Sequence, residues 1–292
     1  MLLIAGGVSD PSLAALASAA QARHARWLDA RIPLTDSPSF HWDLSLQTSA
    51  SAWPACQGQV VTAAFLRHDV FAALADPRPV VAERAQGWFA AMHGWLLAHP
   101  EVRVFNADMH PVAGNKPAAL LQARAHGLRI PHTWVCNDMA RLKSRLGQAP
   151  AIAKPVAGGG HCQTLDEAVS QVSHAQAAMP ALIQPRLIAP EYRVFVIGEQ
   201  VLTFEVSSPS LDYRVNQDAV VCPAPNPPEA AGLQALMKTL RMDFGAADFK
   251  TDPDTGALVF LELNTSPMFA HFDEVSDGAV CGAMLDHLLG VQ

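Results

Sequence analysis

The stretch Asp243–Phe269, DFGAADFKTDPDTGALVFLELNTSPMF, most constrains what this chain can fold into. Two runs suited to strands, Ala246–Lys250 and Ala257–Leu263, flank Asp252-Pro253-Asp254-Thr255-Gly256, a segment rich in turn formers. Together they predict a β-hairpin. Strand side chains alternate between faces, so Val259, Leu261 and Leu263 share one face and Phe260, Glu262 and Asn264 the other. An even register across the turn adds Asp248 to the second face. Three oxygen-bearing side chains, Asp248, Glu262 and Asn264, then converge on one patch. A hard divalent cation such as Mg²⁺ or Mn²⁺ takes such oxygens, with phosphates and water completing the shell. The same pattern also fits a solvated hairpin face with ordinary acidic residues.

The chain has 292 residues, enough for two domains or for one with a large insertion. Half of its residues are hydrophobic (50%) and 16% are charged, a composition that supports a sizeable core. A net charge of −7 argues against a broad nucleic-acid footprint. The five cysteines, at 56, 136, 162, 222 and 281, form no CxxC pair and show no metal-ligand spacing, which predicts reduced thiols and a cytoplasmic location. The apolar start Met1–Val8 lacks a basic lead and runs into Asp10-Pro11, so it is read as a first strand and not as a signal peptide. No apolar run is long enough and free enough of charges and helix breakers to predict a membrane span. No nucleic-acid partner and no membrane partner is therefore expected; a homo-oligomer stays open.

Residues 1–108 read as an α/β domain. Leu2–Ala5 is a buried strand, Asp10 caps a helix to about Arg23, and strands follow at Ala25–Asp29 and Val60–Leu66, with a weaker candidate at Phe40–Leu46. Val80–Ala98 is a helix whose Trp88, Met92, Trp95 and Leu96 recur at helical spacing as core, and Val102–Phe105 is another strand. Strands alternating with helices predict a parallel sheet.

Beyond 108 the character changes. Lys116 opens a helix, Pro117–His126, and Thr133–Cys136 is a short strand followed by a helix capped by Asn137 or Asp138. The strand Ala151–Pro155 carries Lys154 and leads directly into Gly158-Gly159-Gly160. Consecutive glycines let backbone N–H groups close over phosphate oxygens, and the lysine adds a point charge. A flexible turn uses the same residues, and the order differs from a Walker loop, in which the lysine follows the glycines. A helix with an Asp cap spans Asp166–Ala177, and a strand spans Ala181–Gln184. Glu191–Ile197 and Gln200–Ser207 form a second hairpin; a loop carrying Arg214, a helix at Pro228–Leu240, the metal-patch hairpin and a last helix at about Val275–Leu289 complete the chain. Hairpins interleaved with helices make this part α+β.

The order of these pieces resembles the ATP-grasp superfamily, in particular its RimK-type and glutathione-synthetase-like ligases, over roughly residues 100–290. The pieces are Lys116, Lys154 with its glycine loop, Gln184, Glu191-Tyr192-Arg193, Asp212-Tyr213-Arg214-Val215-Asn216, Asp248 and Glu262-Leu263-Asn264. The resemblance implies an α/β N-terminal domain (1–108) followed by an α+β ATP-grasp fold, with a small lobe at 109–187 and a C-terminal lobe carrying the metal site at 188–292. It implies that Lys116 and Lys154 contact the phosphates of ATP and that Gly158–Gly160 form a flap over them. Gln184 and Leu187 would lie along the adenine, and Glu191 would take the ribose hydroxyls. Asp248, Glu262 and Asn264 would hold Mg²⁺. Arg193 and Arg214 would face the transferred phosphoryl group and the substrate carboxylate, although surface ion pairs would use the same residues.

The implied activity is ATP-dependent carboxylate–amine ligation through an acyl phosphate, joining a small-molecule or peptide carboxylate to an amine nucleophile with release of ADP and phosphate. Negative charge builds in both steps, so fixed cations and backbone N–H groups supply most of the catalysis. Two alternatives stay open: a modifier of a ribosomally made precursor peptide that forms ester or amide crosslinks, and a nucleotide-binding regulatory module without turnover. Two departures stand out. Pro185-Arg186 occupies a hinge where the family often has an acidic or amide residue, and Thr265-Ser266-Pro267-Met268-Phe269 differs from the corresponding segment of the peptide-crosslinking ligases.

Overall fold

The computed structural model describes residues 1–45, 53, 59–157, 161–211 and 218–291. They divide into two compact units, one formed by Met1–Ala107 with Met268–Gln292 and the other by Asp108–Pro267.

The first unit is built on a parallel sheet of β1 (Leu2–Gly7), β2 (Trp27–Ile32), β3 (Ala63–Leu66) and β4 (Arg103–Val104) in the order β2-β1-β3-β4. Every residue of β1 is buried, which accounts for its unbroken apolar run. Asp10 caps the helix Pro11–Ala22, its Oδ1 accepting from Ser12 N at 2.8 Å. Its other oxygen takes Arg67 Nε at 2.8 Å, a pair sealed from solvent at 0% and 6% exposure. Met92, Trp95 and Leu96 of the helix Pro79–Ala98 bury against this sheet with Trp88 packed beside them, as their spacing predicts. Phe40–Leu46 forms no strand among its described residues. A short helix, Val70–Ala75, capped by Asp69, was not anticipated from the sequence.

The helix expected at about Val275–Leu289 begins later, at Ala279 after Gly278, whose φ of 83° is left-handed, and a short helix, Ala270–Glu274, precedes it. Both belong to the first unit, whereas the sequence placed all of 188–292 in one lobe. The reason is long-range: Phe269 N and Ala270 N donate to Ser12 Oγ at 3.1 and 3.3 Å, and Arg23 pairs with Asp286.

The second unit holds two antiparallel sheets. One comprises β5 (Trp134–Asp138), β6 (Ala151–Pro155), β7 (Gln163–Thr164) and β8 (Gln176–Pro185) in the order β5-β8-β6-β7. The other comprises β9 (Ile188–Ile197), β10 (Gln200–Ser207), β11 (Val220–Ala224), β12 (Phe244–Thr251) and β13 (Leu258–Asn264) in the order β11-β10-β9-β12-β13. The helix expected over Asp166–Ala177 is shorter, Leu165–Ser170, and its cap is Thr164 in a reciprocal capping box with Glu167. The residues from Gln176 onward join β8 instead.

The five-stranded sheet positions the site. One face packs on the helices Lys116–Ala125 and Glu229–Thr239, burying Val194, Val196, Ala247, Phe249, Phe260 and Leu263 against Leu120, Ala123, Leu233, Leu236 and Met237. Burial of large apolar side chains such as Phe249 and Phe260 contributes about 1.5–3 kcal/mol each. The opposite face carries polar residues, Glu191, Arg193, Asp248 and Lys250, at one end and the buried Phe195, Phe204 and Phe244 at the other. The β12–β13 turn closes as its composition predicts: Asp252 Oδ1 accepts from Asp254 N and Thr255 N, and Gly256 takes a left-handed φ of 68°.

Candidate nucleotide and metal site

Asp248 stands directly opposite Glu262, and Ala246 opposite Asn264. The next pair is Phe249 with Phe260, so Leu261 is an extra residue on β13, a β-bulge. The bulge corrects the alternation read from the sequence. Phe260 does not share a face with Glu262; it turns into the core with Leu263, and Leu261 lines the cleft beside Glu262. Upstream of the bulge Asp248, Glu262 and Asn264 do come together, with Asn264 Nδ2 donating to Asp248 Oδ2 at 3.3 Å.

A cleft between the two sheets of this unit is lined by Lys116, Lys154, Gln184, Leu187, Glu191, Arg193, Asp248 and Glu262, eight of the residues singled out in the sequence. The causes are local in each case. Lys116 is the first residue of a helix capped by Asn115, whose Oδ1 accepts from Ala118 N at 3.1 Å. Lys154 lies near the end of β6, and Gln184 and Leu187 flank the exit of β8. Glu191 and Arg193 are two apart on β9 and so point the same way. Gly158, Gly159, Gly160 and Arg214 lie outside the described residues.

Six of the charges in the cleft form three pairs. Lys116 Nζ lies 3.0 Å from Glu262 Oε2. Arg193, expected to face a phosphoryl group, grips Asp248 with both ends of its fork, Nε to Oδ1 at 2.7 Å and Nη2 to Oδ2 at 2.8 Å, because β9 sets the two residues opposite each other on β12. Glu191 lies 2.8 Å from Lys250 Nζ. Burial raises the Glu191 carboxyl above its ordinary range; Lys250 pulls the other way and Asp248 adds to the rise.

Lys250 is the cleft residue that sequence reasoning missed. Its signal was present: it is two residues from Asp248 on a strand and must share its face. Cys162 and the exposed Arg186 also line the cleft. The free thiols 136 and 162 are half-buried, 222 is exposed and 281 is buried; burial raises the last well above the usual thiol range.

The donor chemistry fits a metal–nucleotide complex. Among the described residues no group of three or more His, Cys, Asp and Glu could hold a metal alone. Two carboxylates and an amide instead suit a cation that brings phosphate oxygens with it. Gln184 is 3% exposed; its Nε2 donates to Thr133 Oγ1 at 3.0 Å, and its Oε1 is buried with no partner among the described residues. Such an orphaned acceptor at a cleft wall fits a ligand that carries an N–H donor.

No family model and no curated protein matches the chain. Solved structures do. The macrocyclase MdnC bound with precursor peptide MdnA, from Microcystis aeruginosa MRC, superposes with a TM-score of 0.74 at 19% identity over 100% of both chains. The ATP-grasp ligase PsnB complexed with a phosphomimetic variant of its minimal precursor, Mg and ADP gives 0.72 at 20% identity, covering 99% of this chain and 97% of that one. A peptide-associated (RiPP) ATP-grasp ligase of Chryseobacterium gregarium, in complex with ADP and a leader and core peptide, gives 0.70 at 15%, covering 100% and 97%. The chain has the ATP-grasp fold, an α/β N-terminal domain followed by an α+β grasp. Among the described residues no helix is long and apolar enough to cross a membrane.

Proposed function

We propose that this chain is an ATP- and Mg²⁺-dependent ligase that modifies a ribosomally made precursor peptide, joining a side-chain carboxylate to a nucleophile as an amide or ester. The observation that carries this reading is the cleft, in which Lys116, Lys154, Glu191, Arg193, Asp248 and Glu262 converge on one wall-to-wall site. The peptide-bound neighbours favour a peptide carboxylate where the sequence left peptide and small-molecule acids both open, and the nucleotides and Mg that some of them hold support the cofactors. The narrower kinship to RimK-type and glutathione-synthetase-like enzymes rests on sequence motifs alone.

In this reading Lys116 and Lys154 neutralise phosphate oxygens, and Gln184 Oε1 accepts from the amino group of the adenine beside Leu187. Glu191 accepts from the ribose hydroxyls, with Lys250 holding its carboxylate in place. Asp248, Glu262 and Asn264 would hold the metal, which would supply charge to offset that of the transferred phosphoryl group. A peptide carboxylate oxygen attacks the γ-phosphorus and ADP leaves. An amine or hydroxyl of the peptide then attacks the acyl carbon, and inorganic phosphate departs as the nucleophile loses its proton. Arg193, and Arg214 as the sequence assigns it, offset the negative charge that builds in both steps.

The test is mass spectrometry of a short peptide encoded beside the gene, incubated with the protein, ATP and Mg²⁺. Loss of one water per crosslink, with one ADP released for each, is expected. ATP hydrolysis driven by free amino acids and not by the peptide would return the reading to a small-molecule ligase. Nucleotide binding without turnover under any condition would leave a regulatory module.

A further inference from the structure

The two carboxylates assigned to the metal are already answered by cations of the chain itself. Glu262 is paired with Lys116 at 3.0 Å, and Asp248 is held by Arg193 at 2.7 and 2.8 Å. These side chains are shielded: 26% and 19% exposed for the first pair, 14% and 12% for the second. Their attraction is therefore less weakened by water than that of a surface pair. Among the described residues these two cations balance the two carboxylates, so the four groups together offer a bare divalent cation little net attraction. To bind, it must strip two cations from their partners and leave both in a confined cleft.

Arrival together with a polyphosphate changes that balance. The phosphate oxygens offer Lys116 and Arg193 new anionic partners at the moment the metal takes the carboxylates.

We propose that Lys116 and Arg193 are placeholders for the metal, holding Asp248 and Glu262 in ligating position and making divalent-cation binding conditional on the nucleotide. This rests on the nucleotide and metal reading of the cleft. The two cations are positioning residues before the nucleotide binds and phosphate contacts afterwards. Glu262 and Asp248 stay ordered through the exchange because they sit on paired strands of the central sheet. The metal is thus admitted with the nucleotide or after it.

The test is Mn²⁺ binding, read from the electron paramagnetic resonance of the free ion, on the full-length protein with and without ADP. Wild-type protein without nucleotide should bind Mn²⁺ weakly. Lys116→Met and Arg193→Met should each tighten nucleotide-free Mn²⁺ binding by on the order of tenfold, since a competing cation is removed. Adding Glu262→Gln to Lys116→Met should abolish the gain. Wild-type protein that binds Mn²⁺ equally well with and without ADP overturns the proposal and needs no variant. Variants that melt like the wild type yet show unchanged nucleotide-free affinity overturn it too, and if Mn²⁺–ADP still binds, only this proposal falls. If Mn²⁺–ADP does not bind the wild type at all, the functional reading falls with it.

Discussion

Asp248 and Glu262 face each other across β12 and β13 one residue before a bulge, and that bulge decides which way the rest of the hairpin points. Before it, carboxylates face the cleft. After it, Phe249 and Phe260 meet edge to face in the core, with ring centroids 5.7 Å apart. One extra residue, Leu261, lets seven residues of β13 serve both the cleft and the core.

Glu262→Gln should cut ATP-dependent turnover by at least about a hundredfold, because a neutral amide gives the metal no charge. Stability should change by only about 1 kcal/mol, since the side chain keeps its shape and still accepts a hydrogen bond from Lys116. Steady-state kinetics beside urea denaturation checks this. Near-normal turnover in a folded variant would remove Glu262 from the metal site.

Lys154→Ala should weaken ATP binding by about ten- to a hundredfold, the loss of a charge-assisted phosphate contact of about 1.5–3 kcal/mol. Unlike Lys116 and Lys250, Lys154 has no carboxylate partner among the described ion pairs, so its removal orphans no buried anion. Titration calorimetry with a non-hydrolysable ATP analogue measures the effect; unchanged affinity would exclude the contact.

Glu191 makes stability depend on pH. Burial raises its carboxyl in the folded state, against the pull of Lys250. A raised folded-state value means that the folded protein holds the proton more tightly than the unfolded chain. The associated stability is present below the unfolded carboxyl's range, about 4.3, and is lost as pH rises through the folded value. Glu191→Gln should lack this loss, so the variant gains on the wild type as pH rises. Lys250→Met should extend the loss to higher pH. Urea denaturation of the three proteins at a series of pH values tests both; parallel curves would contradict the assignment.

The Asp10–Arg67 pair should behave as a structural lock in the first unit. Asp10→Ala removes a helix cap and the carboxylate that balances a buried guanidinium, so a loss of about 3–5 kcal/mol is expected. Pairing Asp10→Asn with Arg67→Met keeps a capping oxygen and removes both charges, and should recover much of that loss. Chemical denaturation decides it; a loss of under about 1 kcal/mol for Asp10→Ala would mean that the pair is solvated in solution.

Much of the site was legible in the sequence because its parts are local. Glu262 and Asn264 share a face by strand period, Asp10 caps its helix by type, and Asp252 with Gly256 writes its own turn. Each depends on dihedral preferences and hydrogen bonds a few residues apart, which neighbouring side chains dictate. Tertiary structure decided the rest. The Leu261 bulge answers to packing of Phe260 against helices far along the chain, not to its own residue type. The pairing of Arg193 with Asp248 and of Lys116 with Glu262 follows from strand order β9-β12-β13 and from where one helix begins. Met268–Gln292 joins the first unit through hydrogen bonds to Ser12, a residue more than 250 positions away in sequence. Long-range burial and charge pairing set these choices, and they act only once the chain has closed on itself.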